Sequence, residues 1–212
     1  MNDEWLARWR RGQIGWHEAG GNSALRKYWP QLAEGSRVLV PLCGKSDDLL
    51  WLDQQGYRVT GVEISEIAVR SFFADTGIHF EILDRAGLKW FQALDRPLTI
   101  VCGDYFHYAD EPHDALYDRA ALVALPPKLR PAYVEHTKTL LKSGAAQLLI
   151  TLEYDQSMAN GPPFSVLTEE VNDYWPGLQR IGELSAIRTM PPKFLEAGID
   201  RFVEAVWSGT PD

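Results

Sequence analysis

The residues of this chain that could do chemistry gather where apolar runs give way to polar ones. Leu42-Cys43-Gly44 follows the run Arg37-Val38-Leu39-Val40-Pro41, and Glu63 ends the run Tyr57-Arg58-Val59-Thr60-Gly61-Val62. Gly103-Asp104-Tyr105 follows Leu98 to Cys102, and Asp118-Arg119 follows Ala115-Leu116-Tyr117. An acid about 20 residues beyond a strand-to-helix turn is what a doubly wound α/β fold uses to hold the two hydroxyls of a ribose. Glu63 stands at that spacing from the first turn. A phosphate-binding loop would need an earlier glycine where this chain has Leu39, so Gly44-Lys45-Ser46 is only a fragment of that motif. A dinucleotide fingerprint would need three glycines in the turn, and only Gly44 is present. The remaining ligand is a nucleoside without a pyrophosphate, and S-adenosylmethionine fits that description. The residues leave a second reading open, in which Glu63 caps the helix that begins at Ile64-Ser65-Glu66.

Other reactive types carry little. His17, His79, His107, His113 and His136 show no metal-ligand spacing with Cys, Asp or Glu, so no metal is expected. His17 is the one placed to accept a proton. Ser23, Ser65 and Ser143 lie in no Gly-x-Ser-x-Gly elbow, which removes the support for hydrolase chemistry.

The elements that must position these residues alternate. Strands are expected over 37–40, 57–62, 98–103, 115–118 and 146–153, separated by helices at Ser46 to Gln55, Ser65 to Asp75 and Lys128 to Leu141. Two further strands, 181–187 and 200–207, read as a terminal hairpin with a long connection. Residues 78 to 97 carry no clear pattern. Alternation of this kind predicts a doubly wound sheet, largely parallel, with helices on both faces and ligands bound beyond the strand carboxyl ends. All four polar clusters fall on that edge. Trp5 and Trp9 lie four apart on one helical face, and Gly12 and Gly15 break the pattern, so residues 2–17 form either core cover or a flap over a ligand.

Composition bounds the rest. At 212 residues, 45% of them hydrophobic, the chain suits one sizeable core, a single domain over 1–212 with 1–33 as an N-terminal helical cover. A net charge of −8 with scattered Lys and Arg argues against a nucleic-acid partner. No run approaches the ~18 apolar residues of a membrane span, and the N-terminus lacks a signal-peptide core. A cytoplasmic monomer with two free cysteines and no membrane partner is expected.

Four segments carry a resemblance. Val38 to Ser46 (VLVPLCGKS), Gly61 to Glu66 (GVEISE), Tyr117 to Leu122 (YDRAAL) and Gly161 to Phe164 (GPPF) closely resemble those of the thiopurine (thiol) S-methyltransferases, especially the bacterial branch. The likeness runs from Trp5 to the C-terminal strands. It implies a class I methyltransferase of Rossmann-like α/β fold, with a seven-stranded, mostly parallel sheet, that uses S-adenosylmethionine. It also implies that the cofactor is contacted by Trp9, Leu42, Glu63 and Arg119, with the backbone of Gly103, Asp104 and Tyr105 nearby. The acceptor is then a small thiol such as a thiopurine or aryl thiol, or a selenium or tellurium compound. One departure is Trp16, in Ile14-Gly15-Trp16-His17, where most relatives carry Phe; it should narrow the acceptor pocket it shares with Phe164.

Methyl transfer from a sulfonium needs no covalent enzyme intermediate, so Cys43 reads as a packing residue, although its place before a helix would favour a thiolate. Arg119 is the candidate to stabilise an acceptor anion, the alternative being a structural ion pair with Asp104 or Asp118. No general base is evident. The rival functions are a nicotinamide-dependent oxidoreductase and a protein that binds S-adenosylmethionine without turnover.

Overall fold

A computed structural model describes residues 2–211. In chain order its elements are α1 (Asn2–Arg10), α2 (Ser23–Tyr28), β1 (Arg37–Pro41), α3 (Asp48–Gln54), β2 (Arg58–Glu63), α4 (Glu66–Thr76), β3 (Phe80–Arg85), β4 (Leu88–Ala93) and β5 (Leu98–Cys102). They continue with β6 (His113–Arg119), α5 (Arg130–Thr139), β7 (Leu141–Glu153), α6 (Thr168–Tyr174), β8 (Gln179–Ser185), α7 (Pro192–Glu196) and β9 (Val203–Gly209).

Among these residues the strands form one nine-stranded sheet in the order β3-β4-β5-β2-β1-β6-β7-β9-β8. The five central strands, β5-β2-β1-β6-β7, are parallel. Antiparallel pairs extend both edges, β3 and β4 on one side and β9 and β8 on the other. The expectation of seven strands is corrected to nine. The additional pair is β3 and β4, from the stretch whose pattern was unclear, and β8 pairs with β9 as the terminal hairpin was expected to.

Alternation along the buried strands divides the core. Val38 and Val40 of β1 join a cluster with Leu25 of α2, Leu49 of α3 and Phe72 of α4, while Leu39 joins one with Tyr133 and Val134 of α5 and Val171 of α6. Helices therefore cover both faces, as a mostly parallel sheet requires. A third cluster, with Tyr154, Phe194 of α7 and Phe202, lies beyond the carboxyl end of β7. Local chemistry sets the helix ends. The Asn22 side chain accepts from Ala24 N at 2.8 Å and Ser65 from Ala68 N at 3.4 Å, while Gly77 ends α4 at φ 67°.

Strand order reverses at β1. The chain builds β2 and β5 on one side of it and then returns to place β6 on the other, which opens a crevice at the carboxyl ends of β1 and β6. No helix among the described residues is long and apolar enough to cross a membrane.

Candidate active site

The crevice is a cavity of about 1410 Å³. Its floor is the turn after β1. Leu42 and Gly44 both adopt positive φ, 49° and 57°, which carries the chain sharply over the strand end. Cys43 points the other way. Its sulfur packs over Gly61 so closely that a Cβ there would lie 2.7 Å from it. Burial raises the thiol pKa well above its ordinary value, and neighbouring Glu63 adds to this, so the sulfur is held as a neutral packing group.

Glu63 ends β2 and lines the same cavity. One carboxylate oxygen accepts from Gly44 N at 2.9 Å and the other from Ser65 N at 2.8 Å. Burial pushes its pKa up to about 7, against the pull of those N–H groups. The cap of α4 is the Ser65 hydroxyl, so Glu63 is not the capping group; it ties the first turn to the second and leaves a lone pair on each oxygen.

The third cluster follows β5. Asp104 accepts from Phe106 N at 3.1 Å and from the Asn2 side chain at 3.0 Å, joining the start of α1 to the cavity wall. Tyr105 is buried, its hydroxyl 2.9 Å from Thr137 Oγ1, so it offers its ring to the cavity. Gly103 lies against Leu88 with no space for a side chain.

Residues from α1 and the following segment form the opposite wall. Trp16 packs edge-on against Trp5 at 5.1 Å and Trp9 at 5.8 Å. The Trp9 ring rests over the first turn, 3.4 Å from where a Gly44 Cβ would be. Trp9 and Trp16 therefore both meet the turn that the sequence assigned to the ligand.

Asp118 and Arg119, adjacent on β6, point to opposite faces. Asp118 accepts the Tyr133 hydroxyl at 2.7 Å and the N–H groups of Ala121 and Leu122, and burial raises its pKa to about 6. Arg119 reaches the cavity. It donates to Trp16 O at 3.0 Å and pairs closely with Glu18, with Glu204 of β9 at 3.9 Å. The alternative reading of Arg119, an ion pair with Asp104 or Asp118, is not what forms; its close partner is Glu18.

Of the residues named from the sequence, the cavity brings together Trp5, Trp9, Trp16, His17, Leu42, Glu63, Gly103, Asp104, Tyr105 and Arg119. Phe164 is a correction: it is not among the lining residues. It packs on Gly161 and faces Arg130 at 5.9 Å, and Pro162 and Pro163 take the place at the wall expected for it. The sequence reading missed Glu18, Asn22, Lys193 and Glu204. Glu204 had a signal, an acid in the otherwise apolar strand Val203-Glu204-Ala205-Val206-Trp207.

A carboxyl-edge cavity with a one-glycine turn and a buried acid defines a nucleoside-binding α/β protein of the methyltransferase class. In fold the chain is similar to the 1,6-didemethyltoxoflavin-N1-methyltransferase of Burkholderia thailandensis, solved with 1,6-didemethyltoxoflavin and S-adenosylhomocysteine. The TM-score is 0.62 at 16% identity, over 99% of this chain and 87% of that one. The sequence model of the thiopurine S-methyltransferase family matches residues 1–211, and the chain belongs to that family. It is 46% identical over 210 residues to the thiopurine S-methyltransferase of Pseudomonas putida (strain GB-1), covering 96% of each chain. It is 42% identical over 207 residues to that of Photobacterium profundum, covering 96% of this chain and 95% of the relative.

Proposed function

We propose that this enzyme methylates the sulfur of small thiols, thiopurines and aryl thiols among them, with S-adenosylmethionine as donor. The observation that carries the reading is Glu63, a buried carboxylate on the cavity wall whose oxygens each hold one N–H and keep a lone pair. Two adjacent ribose hydroxyls match that acceptor pair. The cavity exceeds the ~300–1,000 Å³ of ordinary ligand pockets, which leaves room for a cofactor and an acceptor together.

When bound, the cofactor supplies a methyl group on a sulfonium, already a strong electrophile. The chain's contribution is then placement and exclusion of water. Glu63 would hold the ribose, and Leu42, Gly103, Asp104 and Tyr105 would form the wall around it, with Trp9 over the turn. Trp16, Pro162 and Pro163 bound the acceptor end. Arg119 fixes the Trp16 carbonyl and Glu18, and its pairing with Glu18 leaves less of its charge for an acceptor anion. Selenium and tellurium compounds, soft like thiols, belong to the same acceptor class, and a reducing cytoplasm would keep such acceptors available. A nicotinamide reading has less support, because the single-glycine turn offers no cradle for a pyrophosphate.

The test is methyl transfer from labelled S-adenosylmethionine to thiols, selenols, phenols and amines at matched concentration. Turnover should be confined to the soft acceptors. Preference for oxygen or nitrogen acceptors would overturn the assignment to sulfur, and saturable binding of NAD(H) without binding of S-adenosylmethionine would overturn the class of reaction.

A further inference from the structure

Beside Arg119 the cavity wall holds more acid than base. On the sheet face covered by α2, Arg119 at the end of β6 and Glu204 at the start of β9 line the cavity with Glu18. Glu18 is fully engaged: one oxygen pairs closely with Arg119, and the other accepts from Asn22 Nδ2 at 3.1 Å. Asp48, beside them, is also engaged, accepting Asn22 N at 2.7 Å and the Tyr117 hydroxyl at 2.9 Å. Glu204 is different. One oxygen lies 3.9 Å from the Arg119 guanidinium and the other accepts a long bond of 3.3 Å from Asn22 Nδ2. Its side chain is only 14% exposed. The set of Glu18, Arg119 and Glu204 therefore carries one cation and two anions, and the weakly partnered anion faces the cavity.

Lys193 lies at the Pro162 wall, donating to Asn160 O at 2.7 Å and Pro162 O at 2.8 Å, whereas next to Glu204 a thiolate is repelled and a neutral thiol admitted. A neutral thiol is a poor nucleophile in a site that excludes water, so its proton needs a destination.

We propose that Glu204 is a catalytic residue, the base that takes the proton of a neutral acceptor thiol as its sulfur attacks. The inference rests on the reading of this cavity as a site of thiol methylation. The acceptor sulfur forms the new bond to the methyl carbon with its lone pair, and its proton passes to a Glu204 oxygen. The electron pair of the broken carbon–sulfonium bond stays on the donor sulfur, which becomes neutral. Burial, the largest influence on the Glu204 carboxyl, raises its pKa; Glu18 and Asp48 act in the same direction, and Arg119 and Asn22 oppose it. A raised pKa suits a base at neutral pH, and activity should climb as pH rises through it.

The experiment compares wild type with Glu204→Gln on an alkyl thiol that is protonated at the assay pH and an aryl thiol that is already ionised. With the alkyl thiol, kcat should fall by about 100-fold or more and the acid limb of the pH profile should disappear. With the aryl thiol, kcat should change by less than about threefold and KM should fall, because a repelling charge has gone. A second readout needs no turnover: with S-adenosylhomocysteine bound, the ultraviolet thiolate band of thiophenol should titrate at a lower pH in Glu204→Gln than in wild type, because a repelling charge has gone. Equal losses on both acceptors, or the same titration of the band in wild type and variant, would overturn the role of Glu204 while leaving thiol methylation intact. Absence of thiol turnover by wild type would overturn both.

Discussion

The backbone N–H of Asn22 donates to Asp48 Oδ1 at 2.7 Å, while the Tyr117 hydroxyl donates to the other oxygen at 2.9 Å. The N-terminal segment is thereby pinned to the sheet through a buried carboxylate at the start of α3. Gly21 permits it, since a side chain there would strike Asp48 Oδ1 at 2.4 Å. Replacing Asp48 by Ala strands two buried donors and should cost about 2 to 4 kcal/mol. Urea unfolding at unchanged m-value measures this, and a loss below about 0.5 kcal/mol would mean that water replaces the carboxylate.

Glu63 should couple cofactor affinity to pH. Its folded pKa is raised from 4.5 to about 7, so the folded state binds the proton more tightly than the unfolded one. Stability from this group is complete below the ordinary pKa and is lost as pH rises through about 7, by roughly 3 kcal/mol in total. Ribose hydroxyls favour the ionised form, so binding should release a proton and strengthen between about pH 6 and pH 8. Calorimetry in two buffers of different ionisation enthalpy reads the proton directly. Glu63→Gln should bind about 1 to 3 kcal/mol more weakly and show no such pH dependence.

Trp16 should set acceptor size. Bicyclic thiopurines are expected to turn over less efficiently than small aryl thiols, and Trp16→Phe should shrink the difference in kcat/KM by about 10-fold. Unchanged ratios would remove Trp16 from the acceptor pocket.

The cover over the cofactor should open at α1. Asn22 and Trp16 are tied down by Asp48 and Arg119, whereas α1, set off from them by Gly12 at φ 65°, is held by Asn2 on Asp104 and by the packing of Trp5 and Trp9 on Trp16. Tryptic cleavage near Arg10-Arg11 should slow by about tenfold or more at saturating S-adenosylmethionine. Equal rates would make α1 a fixed wall.

Cys43 and Gly61 should behave as one packing unit. Gly61→Ala places a methyl 2.7 Å from the Cys43 sulfur and should destabilise by about 1 to 3 kcal/mol. Adding Cys43→Ala should restore part of the loss, a coupling that a double-mutant cycle measures. Should Cys43→Ala alone abolish turnover while binding the cofactor normally, the packing role would be wrong.

What could be read from the sequence was what is local. The five parallel strands announced themselves as β-branched and apolar runs, and Leu42, Gly44 and Glu63 by their place at the ends of two of them. The β3–β4 hairpin was hidden by its chemistry. Its two-residue turn is Ala86-Gly87, both at positive φ, and Ala is not the residue that signals such a turn. Strand β3 is also an edge strand with mixed polarity, so it lacks an apolar run. At the site, the resemblance implied a role for Arg119, yet its partner Glu18 lies about a hundred positions away, in a contact that no local pattern encodes. Phe164 was placed in the acceptor pocket with Trp16, and tertiary packing turned it against Gly161 instead.

The bond between Asn22 and Glu204 joins positions 182 apart in the chain. It gives the cavity an order of assembly. One wall comes from an early stretch of the chain, and the strand that closes against it is made much later. Until β9 is in place, the cavity lacks the carboxylate that faces Asn22 and Arg119 and stays open on that side. Loop closure over such a span comes late, after the local βα units have formed. A chain cut short before Val203 would retain the turn after β1 and the buried acid of β2, and lack the strand that finishes the room in which they act.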